Sequence, residues 1–428
     1  MLRPGAPLPG PLPSASTLPA ARKPTKSPPT PSAILLLLLV ATATALLLLH
    51  LPHAPSLPSS YPPPLRGVAA ASVLPLIASR QLDLISLSPS GSAVFCALDW
   101  SLQQGDPSSV PMHKDLLAAS GCGGPGRGGQ RSYSLSLSEA AAHAREQDAL
   151  AGLDPGAVLP GGFVFHESRC GSTLVANLLA GGGAAPPEES RVYSESSPIV
   201  AACQNPAGCD EGLLRDAVYL MSRSAGAGTF FKFQSALTLH MPSITAAFPE
   251  VPWAFVYRDP VQVLVSHLGE GGELLKGRVA GQKPGCARSR MSPSPQLREA
   301  AELAGYGGKP SQMSDEDFCA AHLASLCREA LRAAGRGGGL LLSYEGVAAA
   351  VADELLPHFG VAVGPEQRAR MEEIAGVYSK ARVQGLEWEE DSEVKDRLAS
   401  EEVRSASATF LEGITSELRA FREAQVAD

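Results

Sequence analysis

The sequence predicts an α/β protein with a mainly parallel sheet and flanking helices, preceded by a transmembrane anchor and a proline-rich stem. Three observations predict it. From about residue 160, apolar β-type runs alternate with helical ones, the pattern of βαβ units. An uncharged run of seventeen residues occupies Ala33 to Leu49. A proline-rich stretch, HLPHAPSLPSSYPPPLR, follows at 50–66. The expected division is a tail over 1–32, the anchor at 33–49, a stem over 50–85, a region without assigned chemistry at 86–158, and the α/β domain from 159 to 428.

The anchor rests on length and charge. At 1.5 Å per residue, seventeen helical residues span roughly 26 Å, close to the thickness of a thin bilayer's hydrocarbon core. Residues 1–82 carry six Lys or Arg and no acid, whereas the remainder carries 29 bases against 43 acids. Arg3, Arg22, Lys23 and Lys26 precede the apolar run. The positive-inside rule then keeps the N-terminus cytosolic and sends the rest into a lumen, a single-pass type II arrangement. A cleaved signal peptide and a Ser-rich, acid-poor transit peptide for a chloroplast or other organelle are the alternatives. Ten leucines within nineteen residues favour the membrane. The stem is expected to be extended, with polyproline character.

The net charge of −8 argues against nucleic acid as a partner. Eight cysteines, an even number, suit disulfides in an oxidising lumen, with buried free thiols as the alternative, and their pairing is not legible. With no CxxC pair and no His/Cys zinc spacing, no metal site is expected.

In the α/β region the strand-like runs are GFVFH, RVYSE, TFFKF, WAFVYR and GGLLLSYE, each followed by a helical stretch. The segment GFVFHESRCGSTLVANLLA, residues 162–180, is the most informative. A strand leads into a turn holding Arg169, Cys170 and Gly171, and Ser172 and Thr173 open a helix. Exposed N–H groups at a helix N-terminus bind anionic oxygens, and glycine lets the backbone approach them. Ser172 stands where a Walker A motif needs lysine, which weakens the NTPase reading. In WAFVYRDPVQVLVSHL, Arg258 ends a strand, Asp259 can cap the next helix with Pro260 in its first turn, and Ser266 follows eight residues after Arg258.

These patterns resemble the sulfotransferase superfamily with a P-loop-like fold, in its membrane-bound, Golgi-type branch. Strand-Arg-x-Gly-Ser-Thr-helix is similar to the 5′-phosphosulfate loop, Arg258 with Ser266 to the 3′-phosphate site, and LLLSYEGVAAAVADELLPHFGV at 340–361 to a late strand, turn and helix of that family. The resemblance covers about residues 160–380. It implies a Golgi membrane enzyme that moves a sulfuryl group from 3′-phosphoadenosine 5′-phosphosulfate (PAPS) to a hydroxyl, carbohydrate being favoured, without metal. Arg169, Cys170, Gly171, Ser172, Thr173, Arg258 and Ser266 are then the donor-binding residues. The family's later 3′-phosphate loop has no clear counterpart; Lys380 and Arg382 are weak substitutes.

An acceptor hydroxyl must lose a proton as it attacks sulfur, so one base and several donors are required. Glu195, at the end of the second strand, is the expected base, because ligands of open α/β sheets bind at that edge. Lys232, ending the third strand, is expected to stabilise the transferred group. His166, with Glu167, is the second acid/base candidate, while His240 and His267 are expected to cap or line helices. Three rival functions are a type II glycosyltransferase using Asp315-Glu316-Asp317, a P-loop kinase, and an inactive nucleotide-binding module. The acidic triplet reads better as favourable charge in the first turn of a helix.

Overall fold

The computed structural model describes residues 70–122, 132–183, 190–204, 208–223, 228–269, 284–380 and 386–427. All fall within one unit, Pro58–Asp428. The expected tail and anchor lie outside the described residues, as does the stem up to residue 69. Among the described residues no helix is long and apolar enough to cross a membrane.

Five parallel strands form the central sheet: β4 (Gly162–His166), β5 (Arg191–Ser194), β6 (Thr229–Lys232), β7 (Trp253–Tyr257) and β8 (Gly339–Ser343), in the order β5-β6-β4-β7-β8. They coincide with the five runs picked from the sequence. The first of them in the chain sits in the middle. The chain builds β5 and β6 on one side of it, then crosses to build β7 and β8 on the other. The crevice between β4 and β7 is thus a topological switch point, where open α/β sheets bind ligands.

Side chains alternate across the sheet with a period of two. Phe163, Phe165, Phe231 and Phe255 face one buried cluster, while Val164, Phe230, Ala254 and Val256 face the other. On the first face lies the long helix Asp315–Ala334, with Phe318, Leu323 and Leu326 inward; on the second lies Ser172–Gly182, with Val175, Leu178 and Leu179 inward. Burial on both faces explains why these strands read as unbroken apolar runs. Ser314 caps the long helix by accepting from Asp317 N–H at 3.0 Å, which fixes Asp315, Glu316 and Asp317 as first-turn acids.

The N-terminal part departs from expectation. Residues 70–85, assigned to the stem, contain the helix Ala70–Ala78 and the start of β1 (Asp83–Leu87), because Val73, Ile77, Leu84 and Ile85 are buried. Strand β1 pairs antiparallel with β2 (Ser92–Cys96), and β2 with β3 (Tyr133–Ser136). This small sheet and the segment that links β2 to β3 form a cap at the free edge of β5. There the Gln103 amide donates to Val192 C=O at 2.9 Å and accepts from Val192 N–H at 3.0 Å, as a further strand would. Disulfides join Cys96–Cys122, Cys203–Cys209 and Cys286–Cys319; Cys170 and Cys327 are buried free thiols.

Candidate functional site

The turn after β4 has a conformation that can hold an anion. Ser168, Arg169 and Gly171 adopt left-handed φ angles of 81°, 56° and 82°. Such turns gather backbone N–H groups into a concave nest, here those after Ser168, whose own N–H goes to His166 Nδ1. The first N–H groups of the helix Ser172–Gly182, which have no partner within a helix, add to it. A Cβ at Gly171 would run into the Tyr344 ring, so glycine is required there. The buried Cys170 thiol donates to Val256 C=O at 3.1 Å, leaving only the Cys170 backbone for a ligand. Ser172 and Thr173 are buried where the turn enters the helix.

Beside this turn a cavity of about 630 Å³ opens at the C-terminal edge of β4, β6 and β5. Its lining includes His166, Arg169, Ser172, Glu195 and Lys232, five of the residues expected from the sequence. Lys380, named from the sequence as a weak substitute for the 3′-phosphate loop, lines this cavity instead, and the structure adds Lys114, His267 and His322, together with Ser235, Ser292 and Ser294. His267 had been expected only to line its helix. Apart from Ser292 and Ser294, which are two residues apart, these additions come from separate segments, and only the fold assembles them. Arg382 lies outside the described residues.

Glu195 and Lys232 end adjacent strands, and Glu195 Oε1 accepts from Lys232 Nζ. Lys232 is 1% exposed, whereas the Glu195 side chain is 32% exposed and reaches the cavity. Glu195 has φ 57°, an uncommon conformation for a residue with a side chain, held here by its N–H bond to Lys232 C=O at 2.7 Å. Burial works to raise the Glu195 carboxyl, but Lys232, His166 and Lys380 outweigh it and bring it down to about 2. Burial, with Lys232 and Arg169 nearby, lowers the Lys380 ammonium to about 8. Burial, with Arg169 beside it, takes His267 to about 3, and burial takes His322 to about 4, so both rings are neutral at pH 7.

His166, the second acid/base candidate, has hydrogen-bond partners at both ring nitrogens. Its Nδ1 accepts from Ser168 N–H at 2.9 Å, which leaves Nε2 as the donor to Phe233 C=O, also at 2.9 Å. With both ring nitrogens engaged and burial holding it well below its ordinary pKa, His166 fixes the anion-binding turn to β6. Glu167 does the same towards β7: its carboxyl accepts from Arg258 N–H at 2.6 Å and from the Cys327 thiol at 3.3 Å, and burial raises it to about 8.

Arg258 and Ser266 are not brought into the cavity. Asp259 caps the helix Pro260–Leu268 as expected, accepting from Val261 and Gln262 N–H at 3.0 and 3.3 Å. Arg258 ends β7, on the far side of the turn, and is 5% exposed. Its guanidinium lies 4.0 Å from the centroid of the Tyr344 ring and donates to Gln262 at 2.8 Å, Ser392 Oγ at 2.7 Å and Asp391 at 3.0 Å. Lys395 also donates to Asp391, at 2.8 Å. A second, mostly apolar cavity of about 400 Å³ adjoins this cluster, lined by Leu174, Tyr344, Val347, Trp388, Glu390 and Ser392 among others. Ser266 is half-buried on the helix face that carries Gln262, four residues earlier, whose amide meets Asp396 at 3.3 Å. Among the described residues no cluster of three or more His, Cys, Asp or Glu side chains is placed to hold a metal.

No protein-family model matches the chain, and no curated protein matches it. Among solved structures it is similar to a sulfotransferase from Mycobacterium avium, at 14% identity and a TM-score of 0.29, over 48% of this chain and 46% of that one. It is also similar to the sulfotransferase domain from the curacin biosynthetic pathway, at 14% identity and a TM-score of 0.30, over 61% and 97% of the two chains. A third is a sulfotransferase from Alicyclobacillus acidocaldarius, at 14% identity and a TM-score of 0.28, over 50% and 92%. The chain thus spans under half the length of the first of these proteins.

Proposed function

We propose that this chain is a PAPS-dependent sulfotransferase acting on a hydroxyl acceptor, with carbohydrate the favoured class. One observation carries the reading: a left-handed, N–H-lined turn at a helix N-terminus shares a cavity with a Glu195–Lys232 pair on neighbouring strand ends. The turn, with Arg169, Ser172 and Thr173, holds the phosphosulfate. Lys232 and Lys380 supply positive charge where it develops on the leaving phosphate. Glu195 takes the acceptor's proton as the new oxygen–sulfur bond forms and the sulfur–phosphate oxygen bond breaks. At about 2 Glu195 is a weak base in the free protein. As Lys232 turns towards the leaving group, Glu195 loses its counter-ion and its proton affinity rises towards the catalytic range.

Arg258, with Ser266 on the following helix, receives the donor's 3′-phosphate, and Asp391 gives way to it. The missing Walker lysine continues to disfavour a kinase, and the first-turn placement of Asp315, Glu316 and Asp317 disfavours a glycosyltransferase site there. Three disulfides among the described residues support a lumenal setting, and with the basic tail and apolar run they fit a single-pass type II protein of the Golgi membrane. The deciding experiment gives the purified full-length protein radiolabelled PAPS and a panel of hydroxyl acceptors. Label should pass to an acceptor without added metal; failure to bind the product 3′,5′-adenosine bisphosphate would refute the reading.

A further inference from the structure

The cavity is charged beyond what a base and its partner require. Among its described lining residues, Lys114, Arg169, Lys232 and Lys380 stand against one carboxylate, Glu195, which Lys232 already neutralises. Burial lowers the Lys380 ammonium first, and Lys232 and Arg169 push it down further. Along the sheet edge the order is the turn after β4, then Lys232 on β6, then Glu195 on β5. The Glu195 carboxylate reaches back to within 4.0 Å of His166 Nε2 at the end of β4, so it stands beside the turn with the β5 end of the cavity beyond it. A hydroxyl that meets Glu195 therefore comes from the β5 end of the cavity.

Lys114 is the cation at that end, and it belongs to the cap rather than to the sheet. The cap is fixed there: Gln103 is hydrogen-bonded to the edge of β5, the His113 ring lies 5.5 Å from Tyr193, and the Ser194 hydroxyl meets Met112 Sδ at 3.5 Å. His113 and Met112 are buried while Lys114, next in sequence, is exposed and lines the cavity mouth. Ser235, Ser292 and Ser294 also line the cavity, the last with its hydroxyl already accepting from Leu297 N–H at 3.1 Å.

We infer that Lys114 binds an anionic group of the acceptor, so that the acceptor is an acidic saccharide carrying a carboxylate or sulfate near the hydroxyl that reacts. This rests on the transferase reading for the role of Glu195, and it assigns the region 86–158 a task, presenting a cation to the acceptor. The exposed position lets Lys114 be changed without disturbing the fold.

The test is calorimetry on the full-length protein loaded with 3′,5′-adenosine bisphosphate, titrated with an unsulfated glucuronic-acid-containing hexasaccharide and a neutral N-acetyllactosamine hexasaccharide. The wild type should prefer the acidic probe. Lys114→Glu should weaken it about tenfold or more, the scale of one charge-assisted contact, and Lys114→Gln should weaken it less. Neither variant should alter binding of the neutral probe or of the bisphosphate. Equal binding of both probes by the wild type, or an acidic preference that survives Lys114→Glu, would overturn the inference. Loss of bisphosphate binding with a Lys114-dependent acidic preference intact would remove the donor reading and leave the acidic-saccharide site standing.

Discussion

Glu195→Gln separates the two tasks given to the Glu195–Lys232 pair, structural and chemical. The glutamine keeps the size of the side chain and inherits the same left-handed backbone, so strain at φ 57° is not a variable. What changes is the charge facing Lys232, which is 1% exposed. Leaving one partner of a buried ion pair alone costs about 3–5 kcal/mol, and the Arg169 and Lys380 charges lining the same cavity push towards the upper end. Lys232→Met is milder, because Glu195 is 32% exposed and water can solvate it; about 1–2 kcal/mol is expected. The double variant removes both charges and should be less destabilised than the singles added together, giving a coupling of about 2–3 kcal/mol. Urea denaturation of the four proteins measures this cycle. Turnover of Glu195→Gln should fall by about 10²- to 10⁴-fold with bisphosphate affinity near wild type. Additive stabilities would show that the pair is not coupled, and near-normal turnover would show that another group is the base.

Further outcomes are expected elsewhere. Gln103→Leu orphans the N–H and C=O of Val192 at the buried edge of β5, a loss of about 2–5 kcal/mol, and a variant within 0.5 kcal/mol of wild type by denaturation would, at roughly one-third of a single hydrogen bond's worth, refute the edge-capping role. Lys380 is lowered from 10.5 to about 8, so its charge opposes folding below pH 8 and the cost fades as pH rises towards 10.5; Lys380→Gln should be more stable than wild type at pH 7, with melting curves converging at high pH. Glu167 is raised from 4.5 to about 8, so the stability from its retained proton is full below 4.5 and lost as pH rises through 8; Glu167→Gln should flatten that slope in the same measurement. Arg258→Ala should weaken bisphosphate binding by about 2–4 kcal/mol. Asp391→Asn, which removes a competing carboxylate, should tighten it; weaker binding in that variant would mean that Asp391 orients Arg258 for the ligand.

The parts legible in the sequence were those with strong local signals. Strands buried on both faces read as apolar runs, and Asp259-Pro260 and Ser314 through Asp317 mark helix starts by capping chemistry alone. The strand order and the cap were not legible. DLISL, SAVFC and YSLS are short and only partly apolar, and their pairing joins segments on either side of a Gly-rich stretch. Lys114 and His322 carry no motif, because their meaning comes from convergence on one cavity. His166 shows the converse. A histidine beside a phosphate-type loop reads as chemistry, but neighbouring backbone groups have taken both of its nitrogens.

The same long-range packing ties the three sequence motifs into one device. Glu167, from the first motif, holds the backbone of Arg258, from the second, while Tyr344, from the third, lies against both Gly171 and the Arg258 guanidinium. The anion-binding turn therefore stands between two cationic centres, Arg169 with Lys232 and Lys380 on the β6 side, and Arg258 with Lys395 on the β7 side. A ligand with two separated anionic groups can engage both centres, provided it straddles the turn at the switch point. The first centre carries excess positive charge, whereas Asp391 and Glu390 together balance the second. Under the proposed reading, engagement of the phosphosulfate gains from unspent charge, while engagement of the 3′-phosphate is an exchange of one anion for another. The affinity gained at Arg258 is then a difference between phosphate and carboxylate, and Asp391 sets its size.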